Sequence, residues 1–351
     1  MKHKLKAAVL AAVLLVGGAQ ASTDAPPAKK AVHASSKKSA GKTSAAKSAT
    51  SARAAQSAPK AASRATPSKV KAAAAGSKPS LKPLRYASTG DFVQDPGRLA
   101  LYSASALVID QNSGQALVEK QPDAVVPIAS ISKLMTAMVV LDAKLDLQEV
   151  IAIGDEDVDS LKGTRSRLPV GTTMTRETAM LLALMSSENR AAHALGRHYP
   201  GGLSAFVQAM NKKAHALGMY NSRFEEPTGL SSNNVSTAHD LARMVAAAAR
   251  YPEIRQFSTT AEARVDLSGR VRDFHNTNAL VRSDNWEIGV SKTGYISEAG
   301  RCLVMQARVA DKPVVIVLLD SNGKMTRVGD ANRIKRWMES AGLGAGSRRP
   351  A

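Results

Sequence analysis

Cysteine, acidic residues near the N-terminus and long apolar runs are all scarce in this chain, and each scarcity excludes something. One cysteine, Cys302, in 351 residues excludes an intramolecular disulfide framework. No Cys/His cluster has zinc-ligand spacing. Beyond the first 21 residues no stretch has 18 consecutive apolar residues, so no later segment has the length of a membrane-spanning helix. Between residues 22 and 85 there is a single acid, Asp24, against 14 Lys/Arg. That imbalance, with Lys2, Lys4 and Lys6, accounts for most of the formal net charge of +19. Residues 86–351 hold 31 of the 48 basic and 28 of the 29 acidic residues, a net of only +3. The basic character belongs to the N-terminal quarter, and no nucleic-acid partner is required.

What is present begins with an export signal. Lys2, Lys4 and Lys6 form a positive n-region, Ala7 to Val16 an apolar run of ten, and Ala19-Gln20-Ala21 a small-x-small cleavage site. The alternative is a membrane anchor, which takes about 20 apolar residues, and this run stops at Gly17-Gly18. No cysteine follows it, so lipid anchoring at that point is excluded. Residues 1–21 are therefore expected to be cleaved and the protein delivered to the periplasm. Residues 22–85 are almost wholly Ala, Ser, Lys, Thr and Pro. Such a stretch buries too little apolar surface to offset its ordering entropy, which predicts a disordered linker reaching to about residue 90. Its charge suits weak, salt-sensitive contact with anionic wall or membrane; a solvated spacer is the alternative.

From Ser103 the pattern is that of a folded domain, expected over 91–342 with a flexible tail at 343–351. Ala106–Asp110 and Gln115–Glu119 flank Gln111-Asn-Ser-Gly114 and predict a β-hairpin. A helix is expected from near Ser130 to about Ala143, then helices near 176–186, 189–198, 202–217 and 237–249. Strands are expected near 261–266, 287–292, 302–309 and 313–319, and a closing helix near 328–340. Strands at both ends around a helical middle predict an α/β (α+β) unit, its sheet built from the two ends of the domain.

Three short motifs carry chemistry. In Ser130-Ile-Ser-Lys133 the i,i+3 spacing sets a lysine one helical turn from a serine. A serine needs a base to become a nucleophile, and a helix N-terminus offers free N–H groups for an oxyanion. Lys133 stands among Ile131, Leu134, Met135 and Met138, where burial would lower its pKa. Ser187-Glu-Asn189 follows 57 residues after Ser130, at a break between helices. There a hydroxyl can relay a proton and an amide can hold a carbonyl. Lys292-Thr-Gly294 stands near the end of a strand, where a cation and a hydroxyl can bind a carboxylate beside a glycine that admits a close approach. Alone, each has an ordinary reading as a cap, a helix-linking turn or a strand end. Their order and their placement at element boundaries make the joint signal strong.

This set resembles the penicillin-recognising serine enzymes, and within them the low-molecular-weight D-alanyl-D-alanine peptidases of the S11 type. The resemblance runs from about Ser103 to Glu339. It rests further on Pro127–Asp142, Leu181–Ala192, Glu226-Pro-Thr-Gly-Leu230, Asn234–Ala238, Asn276-Thr-Asn278 and Asp284-Asn-Trp286. It implies the serine transpeptidase/β-lactamase-like fold, an antiparallel sheet flanked by helices with an inserted helical lobe. It implies Ser130 as acylated nucleophile, Lys133 as proton acceptor and Ser187 as relay. It implies Asn189, Lys292 and Thr293 as substrate-binding groups beside Gly294, and the N–H groups of Ser130 and Tyr295 as oxyanion hole. The implied partners are peptidoglycan peptide cross-links and, as covalent inhibitors, β-lactams; no cofactor or metal is implied. The last expected helix lies about ten residues from the end of the sequence, so no second C-terminal domain is expected, and that expectation favours an endopeptidase over a carboxypeptidase. A β-lactamase is the other enzyme of the same chemistry, with Glu226 as water-activating base, and a wall-binding protein acting through its basic tail is a reading of another class. Thr237 with Asp240 predicts a helix cap, His275 a turn residue and Cys302 a buried small hydrophobe.

Overall fold

The computed structural model describes residues 99–267 and 269–341. The expected signal peptide 1–21, basic linker 22–90 and tail 343–351 lie outside the described residues. Five strands form one antiparallel sheet in the order β2-β1-β11-β10-β9. They are β1 (Ser103–Asp110), β2 (Ala116–Lys120), β9 (Glu287–Ile296), β10 (Gly300–Val309) and β11 (Lys312–Ser321). The first two come from the start of the domain and the last three from its end, as the sequence pattern predicts. Two-residue strands β3 (Val126–Pro127) and β6 (Val235–Ser236) pair, as do β4 (Val150–Ala152) and β5 (Thr173–Thr175), and the hairpin β7 (Glu262–Leu267) and β8 (Arg270–His275).

Strand side chains alternate between the faces, and both faces of this sheet are covered. On one, Ala106, Val108, Leu303, Met305, Ile316 and Leu318 pack against Ile334 and Met338 of α7 (Thr326–Ser340). On the other, Leu107, Val304, Val315 and Val317 join the main core with the helical lobe. That lobe comprises α1 (Lys133–Asp142), α2 (Arg176–Met185), α3 (Asn189–Arg197), α4 (Gly202–Ala216), α5 (Ala238–Ala248) and α6 (Pro252–Thr259). Every residue of α1 from Lys133 to Val140 is buried, the mark of a helix enclosed on all sides. Truncating one of its large aliphatic side chains to alanine costs about 2–5 kcal/mol.

Three expectations are corrected. The helix does not begin at Ser130: Ala129–Ser132 forms a 3-10 turn and α1 starts at Lys133. Ala129 sits at φ +49°, a left-handed conformation that an α-helix excludes. Second, α6 and β8 have no counterpart in the sequence reading. Third, His275 ends β8 instead of making a turn, exposed and 3.3 Å from Glu262. The Thr237 cap holds, with the Asp240 N–H donating to Thr237 Oγ1 at 3.1 Å. Cys302 is fully buried, and that burial pushes its thiol up to about 11.

Candidate active site

The turn carrying Ser130 is braced from below. Ser132 Oγ donates to the Ala129 carbonyl at 3.0 Å and accepts from Asn234 Nδ2 at 3.0 Å. Thr136 Oγ1 donates to the Pro227 carbonyl at 2.7 Å. The 3-10 geometry matters because residues i and i+3 eclipse in it. Lys133 Nζ accordingly reaches Ser130 Oγ at 2.9 Å, and also donates to Asn189 Oδ1 at 2.8 Å and the Thr228 carbonyl at 2.6 Å. Burial lowers the Lys133 pKa to about 7, against a partial rise from Glu226 and Glu188. A neutral amine within hydrogen-bonding distance of a serine hydroxyl is therefore accessible near neutral pH.

Ser187 occupies the link between α2 and α3 at φ +61°, a conformation that costs a non-glycine residue free energy and is held by its surroundings. Its hydroxyl accepts from Lys292 Nζ at 2.9 Å. Lys292 is buried, and its pKa lies well below the ordinary lysine value because of that burial and repulsion from Lys133 and Arg327. Asn189 is engaged at both ends of its amide, with Oδ1 on Lys133 and Nδ2 donating to Thr164 Oγ1 at 3.0 Å. Asn189 thereby links Lys133 to the loop that carries Thr164.

β9 is the edge strand on the cleft side. The Ser291 N–H points away from β10 to Ser258 Oγ at 3.2 Å, so by the two-residue period the N–H groups of Thr293 and Tyr295 face the same open edge. Two glycines admit the Ser130 turn between strand and loop. A Cβ on Gly229, at φ +82°, would stand 1.9 Å from the Ala129 carbonyl oxygen and 2.7 Å from Ser130 N. A Cβ on Gly294 would stand 2.9 Å from the Ile128 carbonyl oxygen and 3.2 Å from Ser130 N. The close approach sets the Ser130 backbone against Gly294 of β9.

All eight expected residues thus converge on one cleft, in which Tyr295 is exposed and Gly294 buried. The sequence reading missed Thr277, whose N–H donates to the Met185 carbonyl at 3.0 Å and whose Oγ1 meets Thr293 Oγ1 at 2.7 Å, joining α2 to β9. It also missed Thr164 and the Thr228 carbonyl. The signal for Thr277 was at hand in Asn276-Thr-Asn278, flanked by two buried asparagines. Glu226 is occupied: its carboxylate accepts from the N–H groups of Thr228 at 2.5 Å, Gly229 at 2.7 Å and Ser231 at 3.2 Å. These bonds make it a support of the 226–231 loop. A groove of about 370 Å³ opens beside the site, lined by Arg165, Ser166, Ser187 and Asn189. A larger one of about 650 Å³ at Trp286 and Asn332 is lined by none of these eight residues.

A two-layered serine–lysine site on an antiparallel sheet with a helical lobe defines the class of penicillin-recognising serine enzymes. The family model described as D-alanyl-D-alanine carboxypeptidase, Peptidase S11, matches residues 92–323, and the chain belongs to that family. It is 52% identical over 247 residues to a D-alanyl-D-alanine endopeptidase of Pseudomonas aeruginosa, covering 70% of this chain and 80% of that one. It is 50% identical over 240 residues to the D-alanyl-D-alanine endopeptidase of Escherichia coli, covering 68% and 77%. The crystal structure of the Streptomyces K15 DD-transpeptidase matches with a TM-score of 0.63 at 26% identity, over 68% of this chain and 97% of that one.

Proposed function

We propose that this protein is a serine D-alanyl-D-alanine endopeptidase that opens D-Ala–diaminopimelate cross-links in peptidoglycan through an acyl-enzyme on Ser130. The observation that carries the reading is the 2.9 Å contact between Ser130 Oγ and a Lys133 amine whose pKa is lowered to about 7. Lys133 takes the Ser130 proton as Oγ attacks the D-Ala carbonyl. The oxyanion forms against the N–H groups of Ser130 and Tyr295. Ser187, held by Lys292, relays the proton to the departing amine. Lys292 and Thr293, at the edge of β9 beside Gly294, take the carboxylate next to that amine, and water then releases the acyl group by the reverse path.

In the cross-link the leaving amine and its carboxylate share a D-centre, so the bridge presents the same group as a terminal D-alanine. A carboxypeptidase on the same site is the second reading, favoured by the description of the matched family. β-Lactams fit as covalent inhibitors, since their amide is attacked in the same way. The occupied carboxylate of Glu226 argues against the rapid acyl-enzyme hydrolysis of a β-lactamase. The test is incubation with purified cross-linked muropeptide dimers, read by mass. Dimers should resolve into monomers with Ser130 intact and persist with Ser130→Ala; release of terminal D-alanine without dimer opening would give the carboxypeptidase instead.

Periplasmic residence is part of the proposal and is supported by the charged, apolar and small-residue order of 1–21. The basic stretch 22–85 would add weak contact with anionic wall or membrane. Deleting it should leave acylation intact and reduce retention on anionic wall material at low salt.

A further inference from the structure

The cleft has a basic wall that the proposed chemistry does not use. It is the loop from Asp159 to Arg167, and its backbone is fixed by one carboxylate. Asp159 accepts from the N–H groups of Leu161 at 2.8 Å, Lys162 at 3.0 Å and Thr164 at 2.8 Å, and from Thr164 Oγ1 at 2.6 Å. Thr164 in turn accepts from Asn189 Nδ2, so the loop is registered against the site. Two cations project from this platform. Arg165 is exposed, lines the groove beside Ser187 and Asn189, and has no side-chain partner among the described residues. Lys162 reaches across to the opposite wall, where it pairs with Glu298 in the turn after β9. The two side chains of that bridge are about one-quarter and two-fifths exposed.

The direction of the substrate follows from β9. With the leaving-group carboxylate at Lys292 and Thr293 and the scissile carbonyl at Tyr295, the acyl-donor stem continues past Ile296 towards Glu298. The Lys162–Glu298 bridge therefore spans the donor end of the cleft. On the same end Arg301 stacks over Tyr295, 4.4 Å from its ring centre, and adds a further cation beside Lys162. A peptidoglycan stem upstream of its D-Ala carries free carboxylates.

We propose that Lys162 and Arg165 recognise a carboxylate of the acyl-donor stem, with Glu298 holding Lys162 in reserve until the stem displaces it. These are specificity residues: they bind a part of the substrate remote from the reacting atoms, and Glu298 competes with that part for Lys162. The inference rests on the peptidase reading above and deepens it.

The experiment uses the full-length protein and cross-linked muropeptide dimers whose donor-stem carboxyls are either free or amidated. The parent should cleave the free acid with a KM about threefold to tenfold below that of the amide, a preference that fades in high salt. Lys162→Met and Arg165→Met should each raise KM for the free acid about threefold and leave the amide unchanged. Glu298→Gln should move KM for the free acid in the opposite direction. Labelling of Ser130 by a penicillin with an uncharged acyl group should stay at the parental rate in all three, which separates failure of this inference from failure of the peptidase reading. Equal cleavage of acid and amide by the parent would overturn it. So would a Glu298→Gln variant whose KM rises along with that of Lys162→Met, since the bridge would then be structural.

Discussion

Lys292 donates from Nζ to Ser187 Oγ at 2.9 Å, tying the edge strand of the sheet to the hydroxyl of the helical lobe across the cleft. In the proposed reaction the lysine has two tasks, holding Ser187 as proton relay and supplying positive charge for a carboxylate. A buried hydrogen bond to a charged partner contributes about 1.5–3 kcal/mol, a factor of roughly 10–100. Penicillin esterified at its carboxylate should acylate the protein slower than the free acid by that factor. In Lys292→Met the ratio of acid to ester rates should shrink towards one. A ratio unchanged in the variant would place carboxylate recognition elsewhere.

Acylation should follow the protonation of Lys133. With its pKa at about 7, the neutral amine predominates above that pH and is lost below it. The rate constant for penicillin acylation, measured by stopped flow between pH 5 and 9, should fall about tenfold per unit on the acid side. Lys133→Arg keeps a cation that holds its proton at any accessible pH. It should acylate at least ~100-fold more slowly than the parent.

The same group sets a pH slope in stability. Between about pH 7 and the ordinary lysine value of 10.5, the unfolded chain binds a proton that folded Lys133 has shed. Stability therefore rises with pH across this window, and Lys292, lowered in the same direction, adds to the slope. Urea unfolding at pH 7, 8 and 9 should show the rise, and Lys133→Met should flatten it. An equal slope in the variant would mean that the amine titrates normally in the fold.

Glu226 should behave as a loop support. Glu226→Gln loses one of the accepting positions now filled by the Thr228, Gly229 and Ser231 N–H groups, at a cost of about 1.5–3 kcal/mol. Its Tm should drop while the lifetime of the penicilloyl adduct stays the same. A longer-lived adduct at unchanged Tm would reinstate the carboxylate as a water-activating base.

Gly229 leaves no room for a side chain against the turn that carries Ser130. Alanine there would place a carbon 1.9 Å from the Ala129 carbonyl oxygen in a left-handed conformation, so the 129–132 turn has to move. Gly229→Ala should lower the acylation rate by more than tenfold, against parental behaviour of an alanine at exposed Gly114, where no atom lies within 4 Å of the added carbon.

Much of this site could be read in the sequence because its chemistry is local. Ser130 and Lys133 are three residues apart, and Lys292, Thr293 and Gly294 are consecutive. The sheet was legible from alternating and apolar runs at both ends of the domain. Other features depend on contacts that spacing does not report. β8 reads Arg270-Val-Arg-Asp-Phe-His275 with only Phe274 buried, so its pattern is that of a polar loop and its pairing with β7 decides it. α6 is short, though Pro252 at its first turn and the buried Ile254 and Phe257 three apart were a usable signal. The 3-10 turn before α1 packs against Gly229 and Gly294, where an added Cβ would meet its backbone, and such distant neighbours leave no local sequence signal. Thr164 and the Thr228 carbonyl come from segments 31 and 95 residues away from Lys133, and no local pattern marks them.

The central claim is that Ser130 is the acylated nucleophile. The purified protein should be incubated with penicillin, digested, and its peptides weighed. One adduct of the mass of the intact penicillin is predicted on the peptide containing Ser130, absent from Ser130→Ala at every penicillin concentration that saturates the parent. An adduct on any other residue of the parent, or one that survives in Ser130→Ala, would contradict the account.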